Sequence, residues 1–466
     1  MTKSLEILNG FVWGAPALIL ILTVGLYLSL RLRFVQLRLL PEGLQQLTVQ
    51  IFRKEKGSGV KALCTALAAT VGTGNLVGVA GAICLGGPGA VFWMLLCGIL
   101  GMMTKFAEAL LAVRYRIPSE EGFLGGPMYV MERGLGRKWK PMAILYSLFG
   151  LIASFGVGNS AQVNAVVSGI HGVQVRFGGQ ISYRGDLLCG LVLAVVVGVF
   201  LFGGAKRISA AAERLVPFAA GGYILLCLGA LAARAEAIPG AIADIVQGAF
   251  CPEAVTGGML GSSFQALRIG CSRGVFTNEA GMGTAAIAHG SSDTADPVCQ
   301  GMMGIVEVFL DTIVICTLTA LVILTSGVQI GYGVDIGSEL TTQAFVSVYG
   351  DAAAVFLSFS LILFAVATIL GWGFYGACCC RYLFGPKVWS MYAVSQSIAV
   401  VFGAVADTRV VWQLSETVNG LMVIPNLITL AALSGEVVRL TKEYRKSGIH
   451  HAGGGNYADF HQCKPL

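Results

Sequence analysis

From residue 11 onward, long apolar runs alternate with short segments where the charged residues collect. A helix needs about 20 residues to cross roughly 30 Å of hydrocarbon. Read at that length, the pattern predicts membrane spans near 11–31, 62–84, 90–113, 141–168, 184–203, 212–233, 261–288, 298–325, 350–380, 387–406 and 410–438. The expected fold class is therefore an all-α polytopic membrane protein with about 11 spans, one membrane domain over 1–445, and a cytoplasmic tail over 446–466. The first run reads as a retained span. It is too long for the apolar core of a signal peptide and runs into Arg31 and Arg33 without a small-residue cleavage site.

Two runs break the pattern. The first reads Ala68-Ala69-Thr70-Val71-Gly72-Thr73-Gly74-Asn75, and the second runs from Arg273 through Phe276-Thr277-Asn278-Glu279 to Gly281-Met282-Gly283-Thr284. Each puts Gly and polar residues where a regular membrane helix would carry Leu and Ile. Irregular backbone at that depth is tolerated only where protein or a watery cavity satisfies it. Setting the first span aside, the two segments open the first and second halves of a set of ten helices. Interrupted helices at matching positions are the best sequence pointer to a transporter site. The freed N–H groups of a half-helix suit a carboxylate, and the freed carbonyls suit a cation that prefers oxygen. The plainer alternative is that these glycines only let helices pack closely.

Composition sharpens the class. With 55% hydrophobic and 12% charged residues, the chain has about half the charge usual in a soluble domain. Its +6 net charge follows the loops. Arg31, Arg33, Arg38, Arg53, Lys54, Lys56 and Lys61 follow the first span, and alternate connections carry further sets: Arg114 to Lys140, Lys206-Arg207, Arg381 with Lys387, and Arg439 to Lys446. No Lys or Arg occurs across 326–345. Positive charge marks the cytoplasmic side, which places the N-terminus outside and the C-terminus inside. The charge is a topology signal, so nucleic acid is not an expected partner; the lipid bilayer is. GxxxxGK[ST] and HExxH are both absent, so the chain carries no ATP motor or zinc-protease centre of its own. The 13 Cys show no CxxC spacing and read as small buried hydrophobes. His450, His451 and His461 read as part of the tail.

Several stretches carry a resemblance. Gly72-Thr73-Gly74-Asn75, Gly86-Gly87-Pro88-Gly89, Met103-Thr104-Lys105-Phe106, Gly125-Gly126-Pro127-Met128-Tyr129, Phe155-Gly156-Val157-Gly158-Asn159 and Arg273–Thr284 are similar to motifs of the alanine or glycine:cation symporter family. So is the run Glu307, Asp311-Thr312, Cys316, Thr317 and Thr319-Ala320-Leu321-Val322. The resemblance implies a leucine-transporter-type fold: an extra helix at 11–31 followed by inverted repeats over 62–233 and 261–438. It also implies a sodium-driven importer of a small neutral amino acid, alanine or glycine, in the inner membrane of a bacterial cell. No cofactor is implied beyond sodium as the coupling ion, and no enzymatic step.

Residue by residue, the resemblance assigns the substrate to Thr73, Gly74, Gln162, Phe276, Thr277, Asn278, Met282 and Trp372, with Trp372 capping the side-chain pocket. It assigns sodium to the carbonyls of Ala68 and Val71 with Thr368, and to Asn75 with the Thr70 carbonyl. Ile369 departs from related folds, which often place a second hydroxyl there. The remaining membrane charges, Lys105, Glu108, Arg268, Arg273, Glu279, Glu307 and Asp311, need partners or water. They read either as ion pairs holding the bundle, with Arg273 on Glu307 or Asp311, or as a proton relay. A proton-coupled carrier using Glu279, Glu307 or Asp311 is the near rival, and a channel or a membrane enzyme the distant ones.

Overall fold

In the computed structural model, which describes residues 9–10, 12–52, 58–119, 122–258, 262–334, 337–406 and 409–449, nearly everything is helix. Arg53, Lys54, Lys56 and the tail histidines lie outside the described residues. Helix α1 (Ala15–Arg31) turns by 83° into the amphipathic α2 (Val35–Phe52), with Arg33 and Phe34 in the left-handed region at φ 54° and 53°. Helix α3 (Ser58–Thr70) leads through a wide π-turn at Gly74–Gly78 into α4 (Val79–Gly86), and the two arms meet at 52°. The long helix α5 (Gly89–Tyr115) follows, then a small hairpin of β1 (Ile117–Ser119) and β2 (Gly122–Leu124), and the short α6 (Pro127–Gly134).

Helices α7 (Lys140–Phe155) and α8 (Ala161–Arg176) form one span around a second π-turn, Gly156–Ser160. Next come α9 (Tyr183–Phe202), α10 (Gly204–Ala233), α11 (Ile238–Phe250) and the short α12 (Pro252–Thr256). The second Gly-rich segment separates α13 (Ser263–Asn278) from α14 (Thr284–Gly290). Helices α15 (Pro297–Val308) and α16 (Thr317–Thr325) are joined through a third π-turn at Phe309–Cys316. The chain ends in α17 (Gly337–Tyr349), α18 (Ala352–Phe384), α19 (Trp389–Val405), α20 (Arg409–Ala432) and α21 (Ser434–Ile449). Among the described residues seven helices are long and apolar enough to cross a membrane, or up to ten spans if each bent pair counts as one.

Apolar exposure shows which faces meet lipid. Leu188 and Val195 on α9 and Leu225 on α10 are 61%, 67% and 71% exposed, a cost no water-facing surface would accept in such density. The core gathers around α5, which packs on α13, α14 and α15, and around α18, which packs on α3, α7, α8 and α10. Small residues set these approaches. A Cβ on Gly89 would stand 2.1 Å from the Gly248 carbonyl, so α5 and α11 touch backbone to backbone.

Candidate functional site

The first break is real backbone irregularity. Helix α3 stops at Thr70, and Gly72 donates its N–H to Asn75 Oδ1 at 2.9 Å instead of continuing the helical ladder. Asn75 therefore closes the break with its carbonyl oxygen. Its amide nitrogen reaches across to the π-turn after α15, donating to Asp311 Oδ1 at 2.7 Å and to the Asp311 carbonyl at 3.2 Å. The second break is sharper. Glu279, Gly281 and Gly283 all lie at positive φ, 55°, 95° and 79°, so the chain cannot run helically from Asn278 to Thr284. Asn278 bridges its own break by accepting from the Ala280 N–H at 2.9 Å and donates to Thr312 Oγ1 at 3.1 Å.

Thr312 donates in turn to Asp311 Oδ2 at 2.8 Å. A single hydrogen-bonded chain thus runs Gly72, Asn75, Asp311, Thr312, Asn278, Ala280 and ties one break to the other. All its side chains are buried. It is built from donors matched to acceptors at every link, as a buried polar network must be.

Around this relay the expected substrate residues gather unevenly. Thr73 Oγ1 donates to Gln162 Oε1 at 3.1 Å, and Gln162 Nε2 donates to the Val157 carbonyl inside the second π-turn. Gly74 faces Thr277, whose Cα and Cγ2 would lie 3.5 Å from a Cβ placed there. Trp372 packs on Gly158 so closely that a Cβ on that glycine would stand 2.3 Å from the Trp372 Cβ. Thr73, Gln162, Thr277, Asn278 and Trp372 are all buried. Phe276 lines a cavity of about 280 Å³ with Asn9, Trp13, Arg273 and Glu416, and the Met282 carbonyl accepts from Tyr146 Oη at 2.9 Å.

The residues expected to hold sodium lie around the end of α3 and on α18. Thr368 Oγ1 is buried with no hydrogen-bond partner among the described residues and lies 2.6 Å from where a Gly72 Cβ would be. Ala68 on the last turn of α3 and Val71 just after it are buried, and Gly371 of the same α18 presses on Ala69. The Thr70 hydroxyl donates back to the Ala66 carbonyl at 3.2 Å, which leaves its own carbonyl, the atom expected at the cation, out of that bond. Among the described residues no three His, Cys, Asp or Glu side chains gather as a metal centre would need.

The membrane charges find partners that differ from the expectation for Arg273. Lys105 Nζ lies 3.2 Å from Glu307 Oε1 with both side chains fully buried, and His289 Nε2 takes Glu307 Oε2 at 2.9 Å. Both Asp311 oxygens are occupied by Asn75 and Thr312. Arg273 instead faces the cavity that holds Glu416. Spacing along the sequence did not reveal this, because it does not say which neighbouring element each side chain of α13 meets: Arg273 and Phe276 line that cavity, while Thr277 meets Gly74. Glu108 was likewise not expected at the site. Its Oε1 accepts from Gly281 N at 2.9 Å, Gly283 N at 3.1 Å and Asn426 Nδ2 at 2.7 Å, so the freed amides of the second break already hold a carboxylate. The only available signal was Glu108 lying three residues after Lys105 on one helix face.

Two cavities flank the break along the first broken span. One of about 350 Å³ reaches Lys61 and Thr65 on α3, with Lys206, Asp293 and Arg381 on its walls. The other, about 500 Å³, reaches Leu76 and Val77 beyond the break, with His171, Arg176 and Glu339 around it. None of the residues of the hydrogen-bonded chain lines either cavity.

Comparison with known proteins agrees with this architecture. The profile of the sodium:alanine symporter family matches residues 1–454. The chain is 40% identical to the sodium/alanine symporter AgcS of Methanococcus maripaludis over 94% of its length and 96% of that protein. It is 38% identical to the probable sodium/glutamine symporter GlnT of Bacillus subtilis, covering 94% and 90% of the two chains. An uncharacterized transporter of Haemophilus influenzae is 42% identical over 96% and 97%. Among solved structures, MhsT in complex with L-phenylalanine superposes with a TM-score of 0.57 at 12% identity, covering 82% of this chain and 97% of that one, which shows a shared leucine-transporter-type fold. The chain is a multi-pass membrane transporter and belongs to the sodium:alanine symporter family.

Proposed function

We propose that this chain is a sodium-coupled symporter that imports a small neutral amino acid, alanine or glycine, by alternating access. The observation that carries the proposal is the Thr368 hydroxyl, buried without a partner against Gly72 at the end of α3. An unpaired buried hydroxyl is costly, so a site that keeps one has a use for its oxygen. Sodium, held there by the Ala68 and Val71 carbonyls with Thr368, satisfies it. The amino acid lies beside it, its carboxylate on the backbone at Thr73 and Gly74, with Gln162, Thr277 and Asn278 adding hydrogen bonds. Phe276, Met282 and Trp372 bound the pocket, and Asn75 with the Thr70 carbonyl supports a second cation.

Glu108 strengthens the assignment of the carboxylate to the first break, because the second break's amides are already engaged. The bulky Phe276, Met282 and Trp372 around the pocket favour alanine and glycine over larger residues. In this reading eleven spans form an extra helix and two inverted repeats of five, with the N-terminus outside and the C-terminus inside a bacterial inner membrane. The cavity lined by Lys61, Lys206 and Arg381 then opens to the cytoplasm. Rocking of the broken helices exposes the site to each cavity in turn.

The driving force suffices. Each sodium ion moving down 100 mV supplies about 2.3 kcal/mol, and a tenfold gradient adds about 1.4 kcal/mol. The test is uptake of labelled alanine into proteoliposomes. Replacing sodium by choline at fixed pH abolishes uptake if sodium drives it. Equal uptake in choline with a dependence on the proton gradient transfers the coupling to protons.

A further inference from the structure

Glu279 is the one residue at the second break that is not glycine yet lies in the left-handed region, at φ 55°. A side chain there is strained, and such strain persists only where surrounding structure holds it. The glutamate is also buried, so its carboxylate has given up water. Glycine would relieve the strain and an apolar residue the desolvation. What the glutamate holds is the indole of Trp372: Nε1 donates to Glu279 Oε1 at 2.9 Å across 93 residues of sequence. Its other oxygen, Oε2, accepts from Thr284 Oγ1, which opens α14. One carboxylate thereby joins α18 to the half-helix beyond the break.

The indole is fixed on its other sides as well. Gly158 supplies the empty space against its Cβ and Cγ, and Tyr375 meets the ring edge-on with centroids 5.8 Å apart. Trp372 follows Thr368 by one helical turn, so the ring stands beside the proposed sodium and substrate positions. Packing by Gly158 and Tyr375 holds the ring's faces and edge, and the indole N–H is held by Glu279.

We propose that Glu279 is a positioning residue that sets the largest amino-acid side chain the carrier accepts, by clamping the Trp372 indole as the pocket wall. This rests on the substrate site proposed above, and it adds a determinant of size that does not itself touch substrate. Shortening or removing the carboxylate releases the N–H, and the ring turns into the vacated space and widens the pocket. Gln in place of Glu keeps the acceptor oxygen for the indole and presents an amide to the Thr284 hydroxyl, which then accepts. The device depends on the hydrogen bond and on reach, with charge secondary.

The experiment measures competition of glycine, alanine, valine and leucine with labelled alanine in proteoliposomes at one sodium concentration. The readout is the ratio of half-inhibitory concentrations for leucine and alanine. Glu279→Ala lowers that ratio at least tenfold, Glu279→Asp at least fivefold, and Glu279→Gln leaves it within twofold of wild type. In a Trp372→Phe background Glu279→Ala changes the ratio no further, since the bond it removes is already gone. Glu279→Ala or Glu279→Asp retaining the wild-type ratio overturns the proposal, and so does a Glu279→Gln protein that behaves like Glu279→Ala. Should one short variant fail to reach the membrane, the other decides. Sodium dependence of the wild type is a separate measurement, so a failed coupling reading leaves the selectivity ratios interpretable.

Discussion

Replacing Thr368 by Val separates the proposed cation site from ordinary packing. The two side chains have nearly the same shape, so the change exchanges one hydroxyl for a methyl. In wild type that hydroxyl is buried and unpaired. Leaving such a group unpaired costs roughly 1–3 kcal/mol, so its removal stabilises the sodium-free protein by about 1 kcal/mol or slightly more. Sodium acts in the opposite direction. At a hundred times its dissociation constant, an ion that binds only the folded protein stabilises it by about 2.7 kcal/mol. Losing one of its oxygen ligands lowers affinity at least tenfold, which removes about 1.4 kcal/mol of that gain. The expected pattern is a crossing. Thr368→Val melts higher than wild type in choline buffer, gains less from added sodium, and transports alanine poorly. Thermal unfolding of the purified protein, titrated with sodium at constant ionic strength, reads both halves. A variant less stable without sodium, or with the full wild-type sodium response, refutes the reasoning.

Three further outcomes follow from the same structure. Asp311→Asn cannot accept from both Asn75 and Thr312 as the carboxylate does, so the half-saturating concentrations of sodium and alanine both rise at least tenfold while membrane expression holds; transport titrations check this. Lys105→Met leaves Glu307 buried with only His289 and costs roughly 3–5 kcal/mol, enough to be visible as lost monodisperse protein in detergent chromatography. Gly89→Ala drives a Cβ to within 2.1 Å of the Gly248 carbonyl and lowers the melting temperature sharply, whereas Gly78→Ala meets nothing within 4 Å and is tolerated.

Much of the architecture was legible in the sequence because hydropathy over twenty residues is a strong, local signal. The long helices α5, α9, α10 and α18 fall where apolar runs predict them. Both interrupted segments were readable for the same reason: Gly72-Thr73-Gly74 and Gly281-Met282-Gly283 interrupt an otherwise apolar stretch. The amphipathic α2 was not, since its mixed composition carries neither a span nor a clear cap, and its 83° turn depends on Arg33 and Phe34 taking positive φ. The short α6, α11 and α17 were missed because helices of 8, 13 and 13 residues between spans leave no long periodic run.

At the site, what escaped was direction. Hydropathy shows that Arg273, Glu307 and Asp311 are at membrane depth, but not which helix face each occupies. Lys105 lies on α5, in direct packing with α15, and so claims Glu307, while Arg273 turns outward. Links such as Asn75 to Asp311 and Trp372 to Glu279 join residues 236 and 93 positions apart. No motif spacing encodes those distances; they emerge only when helices pack.

The most direct test of the account is a structure determined with sodium and alanine bound. It predicts one cation within ligand distance of the Ala68 and Val71 carbonyls and Thr368 Oγ1, and the alanine carboxylate on the backbone at Thr73 and Gly74. Continuous helix through both breaks, or alanine bound away from them, would contradict it.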